Sequence, residues 1–426
     1  MSESARVGVV VVNYNGGDLT LRCVESLLAS EWPRDHLEIV VVDNASSDDV
    51  VTRLRRDHPR VRIVSLAENR GFGAGCNAGV RALRHVDHVA LVNPDTLVDP
   101  AWLSPLVARL DGDDGLGAVA PKILLGTPYG TVDLRVSGPV RPGRGMLRLT
   151  GVRVGDRDVG AEVRFGSGWS GPDGPTAEPG RWVVVPEARL MVPLAAPDTA
   201  TVALHLVACR PGITVRPGNR SGTPPVAVTD AWLQVDVDGP SQELVNSAGV
   251  VLGDDGFAAD RGYLEPDEGQ YDRADEVEAW SGAAVLLRRA YLEDVGPFDE
   301  ALFLYYEDVD LSLRGQARGW RYGYVPTSVV RHAHSASTGA DSPLVSYYND
   351  RNRLLVLARH GSPRAVAAAT GRFLAVTAAY ARRDLQGLLP RARCVPEQGR
   401  TRPRIRAFAG FLRRLPAQAA RRARGH

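Results

Sequence analysis

Val7-Gly8-Val9-Val10-Val11-Val12-Asn13-Tyr14-Asn15 is an almost unbroken β-branched run that stops abruptly in polar residues. Such a run reads as a strand buried on both faces, the kind found inside a parallel sheet. Outward from it the pattern repeats. Leu21, Val24, Leu27 and Leu28 share one helical face, behind Asp18 as the expected cap. Residues 37–42, 61–66 and 88–92 are further buried strands, with helices expected over 49–56 and 74–84. Strand-helix alternation with such short loops predicts an α/β fold, a parallel sheet covered by helices. Ligands of these sheets bind beyond the carboxyl ends of the strands. There the sequence sets Asn13-Tyr14-Asn15, Asp43-Asn44-Ala45-Ser46, Asn69-Arg70-Gly71 and Asn93-Pro94-Asp95-Thr96.

The character changes over 130–243, where Pro and Gly are frequent and helix signals vanish, so an inserted all-β, sandwich-like unit is expected. The α/β pattern resumes over 244–345, and 346–426 reads as a helical, Arg-rich tail, leaving 1–129 as the first α/β half. The 426 residues, 44% hydrophobic and 24% charged, suit a soluble globular protein of two or three domains. Neither a leader nor an apolar run of the ~20 residues needed to span a bilayer is read. Cys23, Cys76, Cys209 and Cys394 are scattered, which argues against a disulfide scaffold and suits a reducing cytoplasm. The net charge of +1 hides an asymmetry: from Arg351 onward 18 arginines face only Asp384 and Glu397, so the body is acidic and the tail basic.

Several residues carry candidate chemistry. Asp95, just past a strand, suits a hard cation, which takes one or two carboxylates and completes its shell with substrate phosphates; a turn explains the same tetrapeptide. Asp43 can accept hydrogen bonds from a nucleoside. Gly71, Gly73 and Gly75 lead into a helix and either admit a ligand to the backbone or allow close helix-sheet packing. Gly73-x-Gly75-x-x-Ala78 also fits a dinucleotide fingerprint, which keeps an NAD(P)-dependent oxidoreductase as an alternative. Glu307, Asp308 and Asp310 crowd one helix start. Asp310 can pair with Arg314 four residues on. Glu307 and Asp308 lack such a partner: adjacent carboxylates raise each other's proton affinity, as a general base requires, and acids at a helix start equally serve to stabilise its dipole. His332 and His334, on an extended segment, point to one face and suit a metal or diphosphate contact.

Taken together these segments resemble the family 2 glycosyltransferases of GT-A fold, rhamnosyltransferase-like and galactofuranosyltransferase-like members above all. The likeness rests on Val11-Val12-Asn13-Tyr14-Asn15, Val42-Asp43-Asn44-Ala45-Ser46, Asn69-Arg70-Gly71-Phe72-Gly73, Asn93-Pro94-Asp95-Thr96, Phe303-Leu304-Tyr305-Tyr306-Glu307-Asp308-Val309-Asp310 and His332-Ala333-His334-Ser335-Ala336-Ser337, in that order. It implies an inverting, Mg²⁺- or Mn²⁺-dependent transferase of cell wall polysaccharide biosynthesis, using a nucleotide-diphosphate sugar, rhamnose being one candidate, and a glycan or lipid-linked acceptor. By analogy Asn13, Asn15, Asp43, Asn69, Arg70, Gly71, Asn77 and Asn93 line the nucleotide-sugar side. Asp95 holds the metal, with His332 contributing and His334 as fallback. Asp308 is the catalytic base with Glu307 beside it. The family's Asp-x-Asp metal motif is here Asn93-Pro94-Asp95, so the metal leans on Asp95.

Outside the likeness, Trp169, Trp182 and Trp232 read as sandwich core more readily than as sugar-stacking surfaces. A purely glycan-binding protein, with the insert as binder, is a further alternative. In the tail Ile405, Phe408, Phe411, Leu412 and Leu415 recur at helical spacing among arginines. This reads either as an amphipathic face for an anionic membrane, at the inner face of the cell membrane, or as a helix packed on the body. Nucleic acid is not expected as a partner, since no recognition module accompanies the charge.

Overall fold

The computed structural model describes residues 5–139, 144–171, 180–194, 201–218, 224–333, 342–387 and 394–423. The first half runs β1 (Val7–Asn13), α1 (Gly17–Leu28), β2 (Leu37–Asp43), α2 (Val50–Asp57), β3 (Arg62–Ser65), α3 (Phe72–Ala82), β4 (His88–Val92), β5 (Thr96–Val98), α4 (Leu103–Asp111) and β6 (Leu116–Leu125). β1 lies parallel between β2 and β4, and β3 extends the edge. All seven residues of β1 and all ten of β6 are buried, and each fully buried Val or Leu contributes ~1.5–3 kcal/mol to burial. α1 packs through Leu21, Val24 and Leu27, whereas Leu28 faces solvent. Asp18 is not the cap of this helix but lies in its first turn, where it binds Arg53.

The insert consists of β7 (Tyr129–Ser137), β8 (Leu147–Val154), β9 (Arg157–Asp158), β10 (Arg164–Phe165), β11 (Arg181–Val183), β12 (Glu187–Pro193), β13 (Thr201–Ala208), β14 (Thr214–Pro217), β15 (Val226–Ala227), β16 (Ala231–Asp236) and β17 (Asp238–Gln242). They form two antiparallel sheets, β10-β12-β7-β14-β15 with β17 beside β7, and β11-β8-β13-β16 with β9 beside β8. An aliphatic core that includes Val132, Leu134, Leu190 and Leu204 lies between them. Trp169 packs against that core, and Trp182 and Trp232 lie outside it. Trp232 is on the outer face under Arg153, Trp182 is half-buried under Arg148, and Trp169 is half-buried against Phe165.

The chain then returns through β18 (Val245–Ser247), β19 (Val250–Leu252), β20 (Ala258–Asp260), β21 (Asp275–Val277), β22 (Ala284–Arg288), α5 (Arg289–Val295), α6 (Glu307–Gln316) and β23 (Arg321–His332). β22 slots antiparallel between β4 and β6, and β23 runs parallel to β6, completing the order β21-β23-β6-β22-β4-β1-β2-β3. The expected α/β sheet, all-β insert and helical tail are therefore present. The tail comprises α7 (Pro343–His360), α8 (Pro363–Gly387) and α9 (Thr401–Ala423). Among the described residues no helix is long and apolar enough to cross a membrane.

Against the expectation from the scattered cysteines, Cys209 of the insert and Cys394 before α9 form a disulfide. Their 185-residue separation carries no sequence signal; only the docking of tail on insert brings them together. Gly145 N–H donating to the Cys394 carbonyl and Gly171 N–H donating to Glu397 reinforce the same seam.

Candidate active site

Strand ends fix the first group of side chains. Asn13, fully buried at the end of β1, donates through Nδ2 to Ser46 at 3.0 Å and to Asp43 at 3.4 Å, and accepts from Thr20 at 2.7 Å. Asn15 accepts from the Ser47 amide at 2.7 Å. These residues tie the exits of β1 and β2 into one polar cluster.

The second group couples the glycine-rich turn to the approach of α6. Gly71 has φ +86°, and a Cβ there would stand 2.2 Å from the Phe303 carbonyl oxygen, so glycine is required on both counts. The Phe72 amide donates to that same carbonyl at 2.7 Å. Asn69 accepts from Asn44 and Gly71, and Arg70 pairs with Glu300 at 2.7 Å while remaining half-exposed. Asn77 is a correction. Its buried amide donates to the Phe298 carbonyl and Glu300 and accepts from the Phe298 amide, so both its donor hydrogens are spent on bracing this turn. Gly75 likewise serves close packing: a Cβ there would lie 2.5 Å from Val12. That, and its place after the edge strand β3, removes the basis for the dinucleotide reading.

The third group surrounds a cavity of about 250 Å³ lined by Asn93, Asn246, Asp260, Glu307, Asp308 and His332, with Phe72, Tyr305 and Tyr306 as aromatic walls. His332, 6% exposed, sits opposite Thr96 in the β23–β5 pairing. Its Nδ1 faces the Asn246 side-chain oxygen Oδ1 at 2.7 Å, and its Nε2 lies 3.1 Å from Asp95 Oδ1 and 3.4 Å from the Asn93 side-chain amide. Asn246 thus fixes the ring with Nε2 toward Asp95, the way a metal-bound histidine is oriented from behind. A histidine nitrogen and a carboxylate oxygen side by side at a strand end form a donor set that fits a divalent cation also held by diphosphate oxygens and water. Among the described residues no larger group of His, Cys, Asp and Glu gathers in this way. His334 lies outside the described residues.

Asp308 begins α6 beside Glu307. Its Oδ2 accepts from the Gly282 amide at 2.9 Å and its Oδ1 from the Val309 amide at 2.8 Å. Burial raises the proton affinity of Asp308, opposed by those two amides. Burial, with the neighbouring charge of Asp308, raises that of Glu307, whose Oε2 has no hydrogen-bond partner among the described residues. Asp310 points the other way. It is bound by Arg314 at 2.9 Å, Arg359 at 2.8 Å and His360 at 2.9 Å. Burial pushes its carboxyl up, and the His360 hydrogen bond and the two guanidinium charges outweigh this and hold it at about 2.

Two features of the site carry no local sequence signal. Phe303, Tyr305 and Tyr306 all have positive φ, a costly run for side-chain-bearing residues. The buried amide of Asn352 on α7 holds that bend through the carbonyls of Leu302, Leu304 and Tyr305, at 2.7–2.9 Å. The other is Asp260, at the end of the β19–β20 hairpin. Its Oδ1 is sealed and without a partner among the described residues, and burial, opposed by Ser247, raises its carboxyl to about 6. A lone acid in a polar hairpin carries no local signal of its burial.

Known proteins share sequence with this chain in both α/β halves. Residues 8–133 match glycosyl transferase family 2, and residues 261–354 match glycosyltransferase-like family 2. The succinoglycan biosynthesis protein ExoO of Rhizobium meliloti is 38% identical over 106 residues, covering 25% of this chain and 30% of that protein. The N-acetylglucosaminyl-diphospho-decaprenol L-rhamnosyltransferase of Mycobacterium tuberculosis is 25% identical over 345 residues, 78% of each chain. Among solved structures, the mannosyltransferase PcManGT from Pyrobaculum calidifontis, in complex with GDP-Man and Mn²⁺, aligns over 97% of this chain and 88% of that one, at 15% identity and TM-score 0.42. The chain is a glycosyltransferase. It belongs to family 2.

Proposed function

We propose that this protein transfers a sugar, with inversion, from a nucleotide-diphosphate sugar to a hydroxyl of a glycan or lipid-linked glycan. The observation that carries the reading is that Asp308 and His332, the latter paired with Asp95, line one cavity. Asp308 takes the proton of the acceptor hydroxyl as that oxygen bonds to the anomeric carbon, and the bond from that carbon to the diphosphate oxygen breaks on the opposite face. The amides of Gly282 and Val309 favour the negative charge on Asp308, and burial beside that charge favours the proton on Glu307. Asp95 and His332 Nε2 would hold Mg²⁺ or Mn²⁺, whose chemistry when bound is to neutralise charge on the leaving diphosphate. Asn13, Asn15, Asp43, Asn69 and Arg70, at the ends of β1 to β3, receive the nucleotide, with Asn93 and Gly71 shaping the way in. Asp260, which lines the same cavity, takes a sugar hydroxyl.

The mycobacterial relative, named as an N-acetylglucosaminyl-diphospho-decaprenol L-rhamnosyltransferase and covered to the same extent as this chain, supports a rhamnose donor and a diphospholipid-linked acceptor. The test is release of nucleoside diphosphate from a panel of nucleotide sugars with Mg²⁺ or Mn²⁺, with and without a lipid-linked acceptor. Turnover of none of the sugars would refute the reading.

A further inference from the structure

The helical tail buries the residues that its sequence offers to a membrane and exposes others. Phe411 is 2% exposed, and Phe408 and Leu415 join it against Phe373 in the cluster that seats α8 and α9 on the body. What faces outward on α9 is Ile405, 57% exposed, and Leu412, 49% exposed, between the exposed Arg402, Arg406 and Arg413. α8 packs through Ala369, Phe373 and Thr377. Its outward side is apolar: Ala367, Gly371, Leu374, Ala378 and Leu385 follow at three- and four-residue steps and their multiples, with Leu374 46% and Leu385 65% exposed.

No acid interrupts this surface. α9 contains none, and the one acid of α8, Asp384, turns inward to accept from the amides of Gly399 and Thr401. Glu397, between the helices, is spent on Gly171 and Arg383. An exposed apolar strip flanked only by arginines complements an anionic bilayer, where leucines enter the acyl boundary and guanidiniums meet phosphate. A nucleic-acid surface would have no use for the leucines. Neither helix can span a bilayer, so both would lie in its plane.

We infer that the outward faces of α8 and α9 dock this glycosyltransferase on an anionic lipid surface, with Leu374, Leu385, Ile405 and Leu412 as the inserted residues. The inference rests on the proposed lipid-linked acceptor for its purpose only. Vesicle binding is measured without donor or acceptor, so it fails or stands apart from that reading.

The experiment is co-sedimentation of the full chain with vesicles of phosphatidylcholine and phosphatidylglycerol, against vesicles of phosphatidylcholine alone. Pelleting is expected on the first and not on the second. Leu374→Glu/Leu385→Glu is expected to weaken binding at least about tenfold, since burying a leucine is worth about that much or more. Arg402→Gln/Arg406→Gln/Arg413→Gln is expected to weaken it about tenfold or more and to flatten its salt dependence. All these positions are exposed, so circular dichroism and nucleotide-sugar hydrolysis should match the parent. The inference is overturned if the parent stays in the supernatant with anionic vesicles. It is equally overturned if both variants pellet like the parent, if the leucine changes merely convert a dimer to a monomer, or if RNA displaces the vesicles.

Discussion

The carboxylate of Asp308 accepts the Gly282 amide proton at 2.9 Å, so a residue of the loop before β22 fixes the direction of an acid that belongs to α6. With the Val309 amide on its other oxygen, this carboxylate is aimed and partly stabilised while still raised in basicity by burial. Asp308→Asn keeps the shape and loses the base. Turnover should fall by ~10²–10⁴-fold, with nucleoside diphosphate affinity unchanged by titration calorimetry. Near-parental turnover would remove Asp308 from the mechanism.

Asn246 is expected to govern metal affinity without touching the metal. Its side-chain oxygen orients His332, and removing such a partner costs ~10–100-fold in affinity. Mn²⁺-dependent binding of nucleoside diphosphate to Asn246→Ala should weaken by that amount, and Asp95→Ala should abolish the metal dependence. Equal Mn²⁺ affinity in parent and Asn246→Ala would show that His332 plays no part.

Asp310 is a stability residue despite its place beside the proposed base. Asp310→Asn leaves the buried Arg314 without its counter-charge and Arg359 with only Asp299, a loss of about 3–5 kcal/mol by comparison with other broken buried pairs. The carboxyl is held at about 2 in the fold against ~3.9 when unfolded. Its contribution is therefore fully present above the unfolded value and disappears as pH falls through about 2. Urea unfolding of parent and variant across that range measures it; a constant difference would be the wrong result.

Asp260 runs in the opposite direction. Its carboxyl is raised to about 6, so the protonated form is favoured by folding and stability is lost as pH rises from the ordinary carboxylate range through about 6. Asp260→Asn should accordingly be more stable than the parent at pH 8, with the gain vanishing at pH 4, while KM for donor or acceptor rises at least about tenfold for the lost charged hydrogen bond. An unchanged KM for both substrates would leave Asp260 without a binding role.

Asn352→Ala should release the bend that presents α6. Three left-handed residues there cost ~1–3 kcal/mol each, and the Asn352 amide holds three carbonyls of the bend alongside the Phe72 amide and the Arg351 guanidinium. The expected result is a loss of about 2–4 kcal/mol of stability together with a fall in kcat larger than the change in KM. If kcat is unaffected, the bend forms without its clamp.

Sequence revealed what depends on near neighbours. The buried run of β1, the polar strand exits, the acidic start of α6 and the Asp310–Arg314 pair all lie within a few residues of their own explanation. The remainder depends on partners brought from afar. Asn352 acts on a bend some 50 residues earlier, Asn246 on His332, and Phe303 decides why residue 71 is glycine. Asn77 is placed on the nucleotide side only by the family likeness, and the Phe298–Glu300 turn, some 220 residues on, claims its amide. Periodicity in α9 identified an apolar face, and only packing on Phe373 determined which side of it faces inward.

The Cys209–Cys394 bond makes a closed circuit of the chain between them, one that contains α6 and β23 but neither the first α/β half nor α9. A protease that nicks this circuit once releases nothing: the two pieces migrate as a single species on a denaturing gel until thiol is added. Clipping maps run only under reducing conditions would mistake such tethered fragments for separable domains.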